Sequence, residues 1–352
     1  MRNFMLVRAL SLLAVMSLLL FSCQSDQDVI NESLAQPQSE LVSRLQETFD
    51  HEVDLPSEGL ESRTHTTVLD FLLADPDYSI LVAAASRVRG LPEILDNPRL
   101  SVTLFAPTNA AFVQFLADNG LSSLDDVPTD LLSAVLGNHL LFFPKTAANL
   151  RSYENTLTFV SFNHNTFNQL SLYVDKSNGV KLNGNVNVVD ADNIVTRSMV
   201  HQVNRVIALP NLVTFATSNP NFSSLVAALT RPDLSVDFVS VLNSNGPFTV
   251  LAPTNTAFDN LLDALGLDNI NQIPVEVLEK VLLYHVANGN TRSNVLARGR
   301  RVSTLATPNT YFTQLINHQL FVLANQNQAK VIVKDVQGIN GVIHAIDTVI
   351  LP

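Results

Sequence analysis

The sequence predicts an α+β chain built from two tandem domains, and three observations carry that reading. The nine residues LFAPTNAAF at 104–112 return as VLAPTNTAF at 250–258. Thr108 and Thr254, Pro128 and Pro274, and His139 and His285 each stand 146 residues apart, so one register holds across the whole block. Within each copy, helix-period apolar spacing comes first and β-rich runs later, the order expected of segregated helices and strands. A period of this size is a domain length rather than a solenoid unit.

The flanks extend the match. Asp75-Pro76-Asp77-Tyr78 aligns with Asn219-Pro220-Asn221-Phe222 at 144 residues, and Val200-His201-Gln202-Val203 aligns with Ile343-His344-Ala345-Ile346 at 143. Domains at 64–210 and 211–352 follow. Pro210 runs into Asn211 without a Gly/Ser-rich spacer, so the two are expected to touch in a fairly fixed relation.

Each copy begins with a helix, at 79–85 and 222–229, followed by a strand at 102–106 and 248–252. Proline stops the strand. Thr108-Asn109 and Thr254-Asn255 then stand where a helix N-cap is needed, offering side-chain oxygens to backbone N–H groups that lack partners. The competing readings are a threonine nucleophile, which needs a base that the sequence does not show beside it, and an anion site at the helix N-terminus. The next helix opens with Pro128 or Pro274 as its first residue. Leu131, Val135 and His139 lie four apart, as do Val277, Val281 and His285, which puts each histidine on the apolar stripe as the partner of a buried polar group. Together with His201 and His344 these would make a poor metal set without an adjacent carboxylate or thiolate, so no metal and no cofactor is expected.

The β-rich halves read as strands at 159–162, 170–174, 186–189 and 200–209, and again at 311–316, 319–323, 331–333 and 342–351. Turns fall at 177–179 and 317–318. Asp190-Ala191-Asp192-Asn193 hints at a calcium loop but lacks the glycine and distal glutamate of an EF-hand, and is read as a capped turn.

Residues 1–22 form a separate unit: Arg2 and Arg8 precede an apolar run too short to span a membrane, the pattern of a signal peptide. The run ends in Leu20-Phe21-Ser22-Cys23, similar to a bacterial lipobox, and Cys23 is the only cysteine in the chain. Lipidation at Cys23 is therefore expected, and no intramolecular disulfide can form. Residues 23–63 read as an acidic tether, with a short helix allowed at 39–49. Ser25-Asp26-Gln27-Asp28 resembles the acidic export tags of surface lipoproteins and points to the outer face of the outer membrane. With 21 basic and 32 acidic residues the net charge is −11, which becomes −13 when Arg2 and Arg8 leave with the signal, so nucleic acid is not an expected partner.

FTVLAPTNTAF at 248–258, the Tyr-His of LLYHV at 282–286 and NGVIHAIDTVILP at 340–352 resemble the boxes of the fasciclin, or FAS1, domain. The second copy fits throughout. The first fits through TLFAPTNAAF and DVPTDLLSAVLGNHLL, then departs: Asn138 replaces the tyrosine, Arg197-Ser198 stands for Asn340-Gly341, and Asn204 replaces Asp347. The resemblance implies two wedge-like β-sandwiches, each with a layer of short helices, used in adhesion and surface association and generally without enzymatic activity. It also places an adhesive motif on Tyr284 and His285 with Leu282, Leu283 and Val286. The stripe argument points His285 into the core instead.

The sequence thus describes a non-enzymatic adhesion or protein-interaction lipoprotein, membrane-held through its lipid, with an extracellular protein or glycan partner and a possible homophilic contact. The alternative is a glycan-binding accessory of a surface polysaccharide uptake system. An enzyme is disfavoured by scattered carboxylates and by the lack of G-x-S-x-G or H-E-x-x-H.

Overall fold

The computed structural model describes residues 66–163 and 166–352. The signal, Cys23, the tether and its short helix lie outside the described residues.

The first domain opens with α1 (Val68–Ala74), a 3₁₀ turn (Pro76–Tyr78), α2 (Ser79–Ser86) and α3 (Leu91–Leu95). Then come β1 (Val102–Pro107), α4 (Asn109–Asp118), α5 (Thr129–Gly137) and β2 (Leu140–Phe142). Five strands complete it: β3 (Tyr153–Asn163), β4 (Thr166–Asp175), β5 (Lys181–Leu182), β6 (Val186–Val195) and β7 (Ser198–Val203). The second domain repeats the plan with α6 (Leu212–Ser218), a 3₁₀ turn (Pro220–Phe222), α7 (Ser223–Leu229), α8 (Phe238–Asn243), β8 (Phe248–Pro253), α9 (Asn255–Leu265) and α10 (Val275–Tyr284). It ends with β9 (Val286–Asn288), α11 (Ser293–Leu296), β10 (Arg300–Ser303), β11 (Thr310–Ile316), β12 (Gln319–Leu323), β13 (Gln328–Gly338) and β14 (Gly341–Ile346).

The class is α+β as expected. In each domain the strand before the APTN joint is paired on both sides: β1 is parallel to β7 and antiparallel to β2, and β8 is parallel to β14 and antiparallel to β9. All six residues of β1 and of β8 are buried, because helices cover one face and the other strands the second. In the first domain the Leu141–Thr156 pairing closes seven strands into a barrel, whereas the second keeps an open order β10-β11-β12-β13-β14-β8-β9. The helical layers pack on β1 and β8 through Phe112, Leu132, Val135 and Leu104 in one domain and Phe258, Leu278, Val281 and Val250 in the other.

Several local readings need correction. Pro128 and Pro274 sit one residue before their helices, as N-caps with ψ of 140° and 136°. Val277 is 52% exposed, so the buried face of α10 runs through Leu278, Val281, Leu282 and Tyr284. The sequence 190–193 is no turn: it lies inside β6, at a register shift where Asp192 takes a φ of 64°. A bulge admits an extra polar residue without ending the strand, which is why alternation fails there. The apolar run 200–209 also outlasts its strand, since β7 stops at Val203 and Val206 and Ile207 are buried as irregular chain.

The two domains dock. β4 runs beside β13, with the Gln337 N–H donating to Ser171 Oγ at 3.0 Å and Arg292 Nη1 to Asn168 Oδ1 at 3.2 Å. Tyr173 is buried within the second domain's core, and Tyr153 packs edge-on to Phe215 at 6.4 Å. Gly184, at φ 77°, lets its turn approach α6 so closely that an added Cβ would stand 2.8 Å from Ser218 Oγ.

Candidate functional site

The APTN joints are built for structure. Thr108 Oγ1 accepts from the Ala111 N–H at 3.3 Å and caps α4, while Thr254 makes no such bond at the start of α9. The asparagine is not the cap in either copy. Asn109 Oδ1 accepts from the Ile80 N–H at 2.9 Å, and its Nδ2 donates to Pro76 O and Ser79 Oγ. Asn255 makes the same three bonds to Ser224 N, Pro220 O and Ser223 Oγ. Each asparagine thus clamps the 3₁₀-to-α junction of the preceding helices onto the joint, using the full donor and acceptor set that only an amide offers.

The four histidines are brackets between backbone segments. His139 Nδ1 lies 2.7 Å from Val135 O, and its Nε2 accepts from the Ile207 N–H at 2.9 Å. His285 repeats this with Val281 O at 2.7 Å and the Ile350 N–H at 3.1 Å. A carbonyl on Nδ1 and an N–H on Nε2 fix the neutral Nδ1–H tautomer. Burial pushes both rings down to a pKa of about 4. His201 and His344 take the opposite tautomer: Nε2–H donates to Lys145 O or Thr291 O at 2.9 Å, and Nδ1 accepts from the bulge N–H of Asp192 at 3.1 Å or Asp335 at 3.2 Å. Burial lowers these two as well.

The departures of the first copy keep the joints by other means. Asp347 Oδ1 accepts from the Lys330 N–H at 2.9 Å, and Asn204 Oδ1 does the same for Asn187 at 2.8 Å. Tyr284 donates to Thr310 O at 2.8 Å and stands edge-on to Tyr311 at 6.2 Å. Asn138 in its place donates to Ile207 O and Ala208 O at 3.3 and 3.1 Å.

The candidate interaction set is corrected by burial. Tyr284, His285 and Val286 are all enclosed, with exposures of 0%, 3% and 2%, because Tyr284 fills the β-layer core and His285 is held at both ring nitrogens. Only Leu283 reaches a cavity, an open cleft of about 600 Å³ shared with Asp233, Glu276, Glu279, Leu305 and Asn309. Glu279 accepts from Ser235 Oγ and its N–H, and these bonds hold its carboxyl below the usual range. The ion pair from Arg231 does the same for Asp233. Both stay ionised at neutral pH and have no proton to give, so neither is fitted to act as a general acid there.

Sequence reasoning passed over two groups. Tyr153, Tyr173 and Asn219 join the domains: the Asn219 amide donates to Tyr153 Oη at 2.9 Å and Tyr173 Oη donates to Asn219 Oδ1 at 3.5 Å. Arg298, Arg300 and Arg301 are exposed on and beside β10. The second group was visible as a charge run; the first depends on contacts between distant segments.

The fasciclin domain model matches residues 76–210 and again 220–352. This chain belongs to the fasciclin domain family. The uncharacterized protein sll1735 of Synechocystis is 38% identical over 143 residues, 41% of this chain and 98% of that protein. The cell surface glycolipoprotein MPB83 of Mycobacterium bovis is 32% identical over 149 residues, 40% of this chain and 60% of its own. Among solved structures, a FAS1 domain pair from the insect cell adhesion molecule fasciclin I aligns at 18% identity and a TM-score of 0.43, covering 81% of this chain and 96% of that one. Among the described residues, no helix is long and apolar enough to cross a membrane.

Proposed function

We propose that the chain is a non-enzymatic adhesion or protein-interaction module, held at the outer surface of a bacterial cell envelope by lipid on Cys23. In this reading residues 1–22 are removed, residues 23–63 form the tether, and the two fasciclin domains, 64–210 and 211–352, form the interacting head. The observation that carries it is the docked pair itself: two fasciclin domains joined through Tyr153, Tyr173 and Asn219 into one body, following a lipobox-like Cys23. Family membership supports the interaction role, and a surface glycolipoprotein among the relatives supports the location. The polar residues of the family boxes are spent on backbone segments, as just described, which suits a scaffold better than a reaction centre. Against the glycan-binding alternative, the chain has no Trp, and Tyr78, Tyr173, Tyr284 and Tyr311 are buried, leaving few rings for sugars to stack on.

The test is protease treatment of intact cells, alongside a Cys23→Ser variant. Digestion of the wild-type head on whole cells and release of the variant from the membrane fraction are expected. Full protection of the head in intact cells would remove the surface reading.

A further inference from the structure

The contact between the two domains is directional. The first domain supplies the β3–β4 hairpin, and the second supplies α6, its 3₁₀ turn and the end of β13. Because the domains are homologous, each end of the chain carries the counterpart of the face its partner uses. The counterparts follow from the strand pairings. Val186 and Ala329 stand 143 residues apart; they pair with Leu182 and Val322, which pair with Val174 and Thr313. Tyr173 therefore corresponds to Phe312, and Tyr153, which faces Tyr173, corresponds to Arg301, which faces Phe312. On the receiving side Phe71, Asp75 and Asp77 correspond to Phe215, Asn219 and Asn221 at 144 residues, and Asp190 and Ile194 correspond to Val333 and Gln337 at 143.

Four of the counterparts, Arg301 and Phe312 on the hairpin and Asp75 and Ile194 on the receiving face, are exposed. Tyr173 and Gln337 are 6% and 0% exposed in the docked interface, whereas Phe312 and Ile194 are 41% and 47% exposed. Asn219 is 6% exposed, and Asp75 is open to solvent. Two matching faces are thus present on one molecule, and among the described residues only the internal pair meets.

The substitutions are also complementary in charge. Beside the Arg292–Asn168 bond, the positions at issue in the internal contact are neutral, Tyr153 and Tyr173 with Asn219. At the outer positions the hairpin carries Arg301 in place of Tyr153, and the receiving face carries Asp75 in place of Asn219. The surroundings agree: residues 292–334 hold six basic residues and no acid, while 66–86 hold Asp70, Asp75 and Asp77 without a base, and β6 adds Asp190 and Asp192. Neither Arg301 nor Asp75 forms an ion pair among the described residues, and Asp75 and Asp190 both act on Tyr78 by charge, which places them around one spot. Opposite charges at positions that meet favour the intended contact, and a like pair there would oppose it.

We propose that a second copy of this chain docks head to tail, its α1–β6 face receiving the β10–β11 hairpin of the first as α6 and β13 receive β3–β4 within each molecule. Arg301 of one copy then meets Asp75 of the next, and Phe312 covers the exposed Ile194. Such a contact is heterologous, so it propagates into open chains or closes into rings rather than stopping at a two-fold dimer. It rests on the interaction-module reading and gives that module its partner.

The test is sedimentation velocity of the purified full-length chain across a wide concentration range, with Arg301→Asp and Asp75→Arg variants whose folding is checked by thermal melting. Wild type is expected to grow beyond monomer with concentration, less so at high salt. Each variant alone sets like charges against each other and should lose that growth. In a one-to-one mixture the altered hairpin of the first variant can meet the altered face of the second, and the native hairpin of the second can meet the native face of the first. Every contact between unlike molecules then joins opposite charges, so growth should return. A wild-type chain that stays monomeric throughout overturns the proposal. So does growth that ignores both variants, or a mixture that fails to recover. Surface digestion on cells with a strictly monomeric chain would remove this contact and leave the surface-module reading standing.

Discussion

Tyr153 and Asn219 lie in different domains and share a hydrogen bond of 2.9 Å, with burial raising the tyrosine to a pKa of about 12. The hydroxyl stays neutral at any physiological pH and serves only as a link. Tyr153→Phe keeps the ring packing on Phe215 but deprives the Asn219 amide of an acceptor, at a cost of about 1 kcal/mol. Denaturant unfolding should show this as a lower midpoint, with faster proteolysis near Pro210. An unchanged midpoint and cleavage rate would mean that the rings alone hold the domains.

The acid response follows from the two helix-end histidines. His139 and His285 have folded pKa values of about 4, below the unfolded 6.5, so between these values the unfolded chain binds more protons. Their contribution is complete above pH 6.5 and is lost as the pH falls towards 4, by about 3 kcal/mol for each ring. Urea midpoints measured from pH 7.5 to 4.5 should decline. His285→Gln should weaken that slope, and a flat wild-type profile would contradict the bracket.

The two APTN threonines should differ. Thr108→Ala removes a helix cap and should cost about 1 kcal/mol. Thr254 makes no cap bond, so its alanine variant should fall within about 0.5 kcal/mol of wild type. Thermal melts of the pair decide this, and equal losses would show that the second cap forms in solution.

Asn109→Ala and Asn255→Ala should be the more damaging changes in those motifs, at about 2 kcal/mol each, since every one removes three bonds to a neighbouring helix junction. Aspartate at either position keeps the acceptor and loses the donors, so its melting temperature should fall between those of alanine and wild type.

Gly341 has a φ of 150°, and an added Cβ would stand 2.2 Å from Phe248 O. Gly341→Ser should cost about 3 kcal/mol or more through forced backbone movement, even though Ser198 occupies the equivalent place in the first domain. There the hydroxyl donates to Leu100 O at 3.0 Å. A mild effect on the melting temperature would show that β8 and β14 can separate slightly.

The duplication, the α+β order and the strand-to-helix joints were legible because each leaves a local mark repeated at a near-constant interval. What escaped was long-range. The partner of Asn109 lies about thirty residues upstream at Ile80, so the residue looks like a cap when its neighbours alone are read. Asp192 and Asp335 break alternation inside β6 and β13 because the N–H of each bulge turns to a buried histidine nine residues on. Spacing puts His285 on the core side, where it lies, but nothing local shows that Tyr284 is enclosed and reaches Thr310 or that His285 reaches Ile350. Domain docking through Tyr153 and Asn219 left no periodic mark at all.

The mirrored tautomers make the imidazoles a set of native spectroscopic reporters. His139 and His201 watch one domain and His285 and His344 the other; in each pair one ring carries its proton on Nδ1 and the other on Nε2. Nitrogen chemical shifts separate those two forms, so a single spectrum of the intact chain should reveal which domain has opened, without a label being attached anywhere.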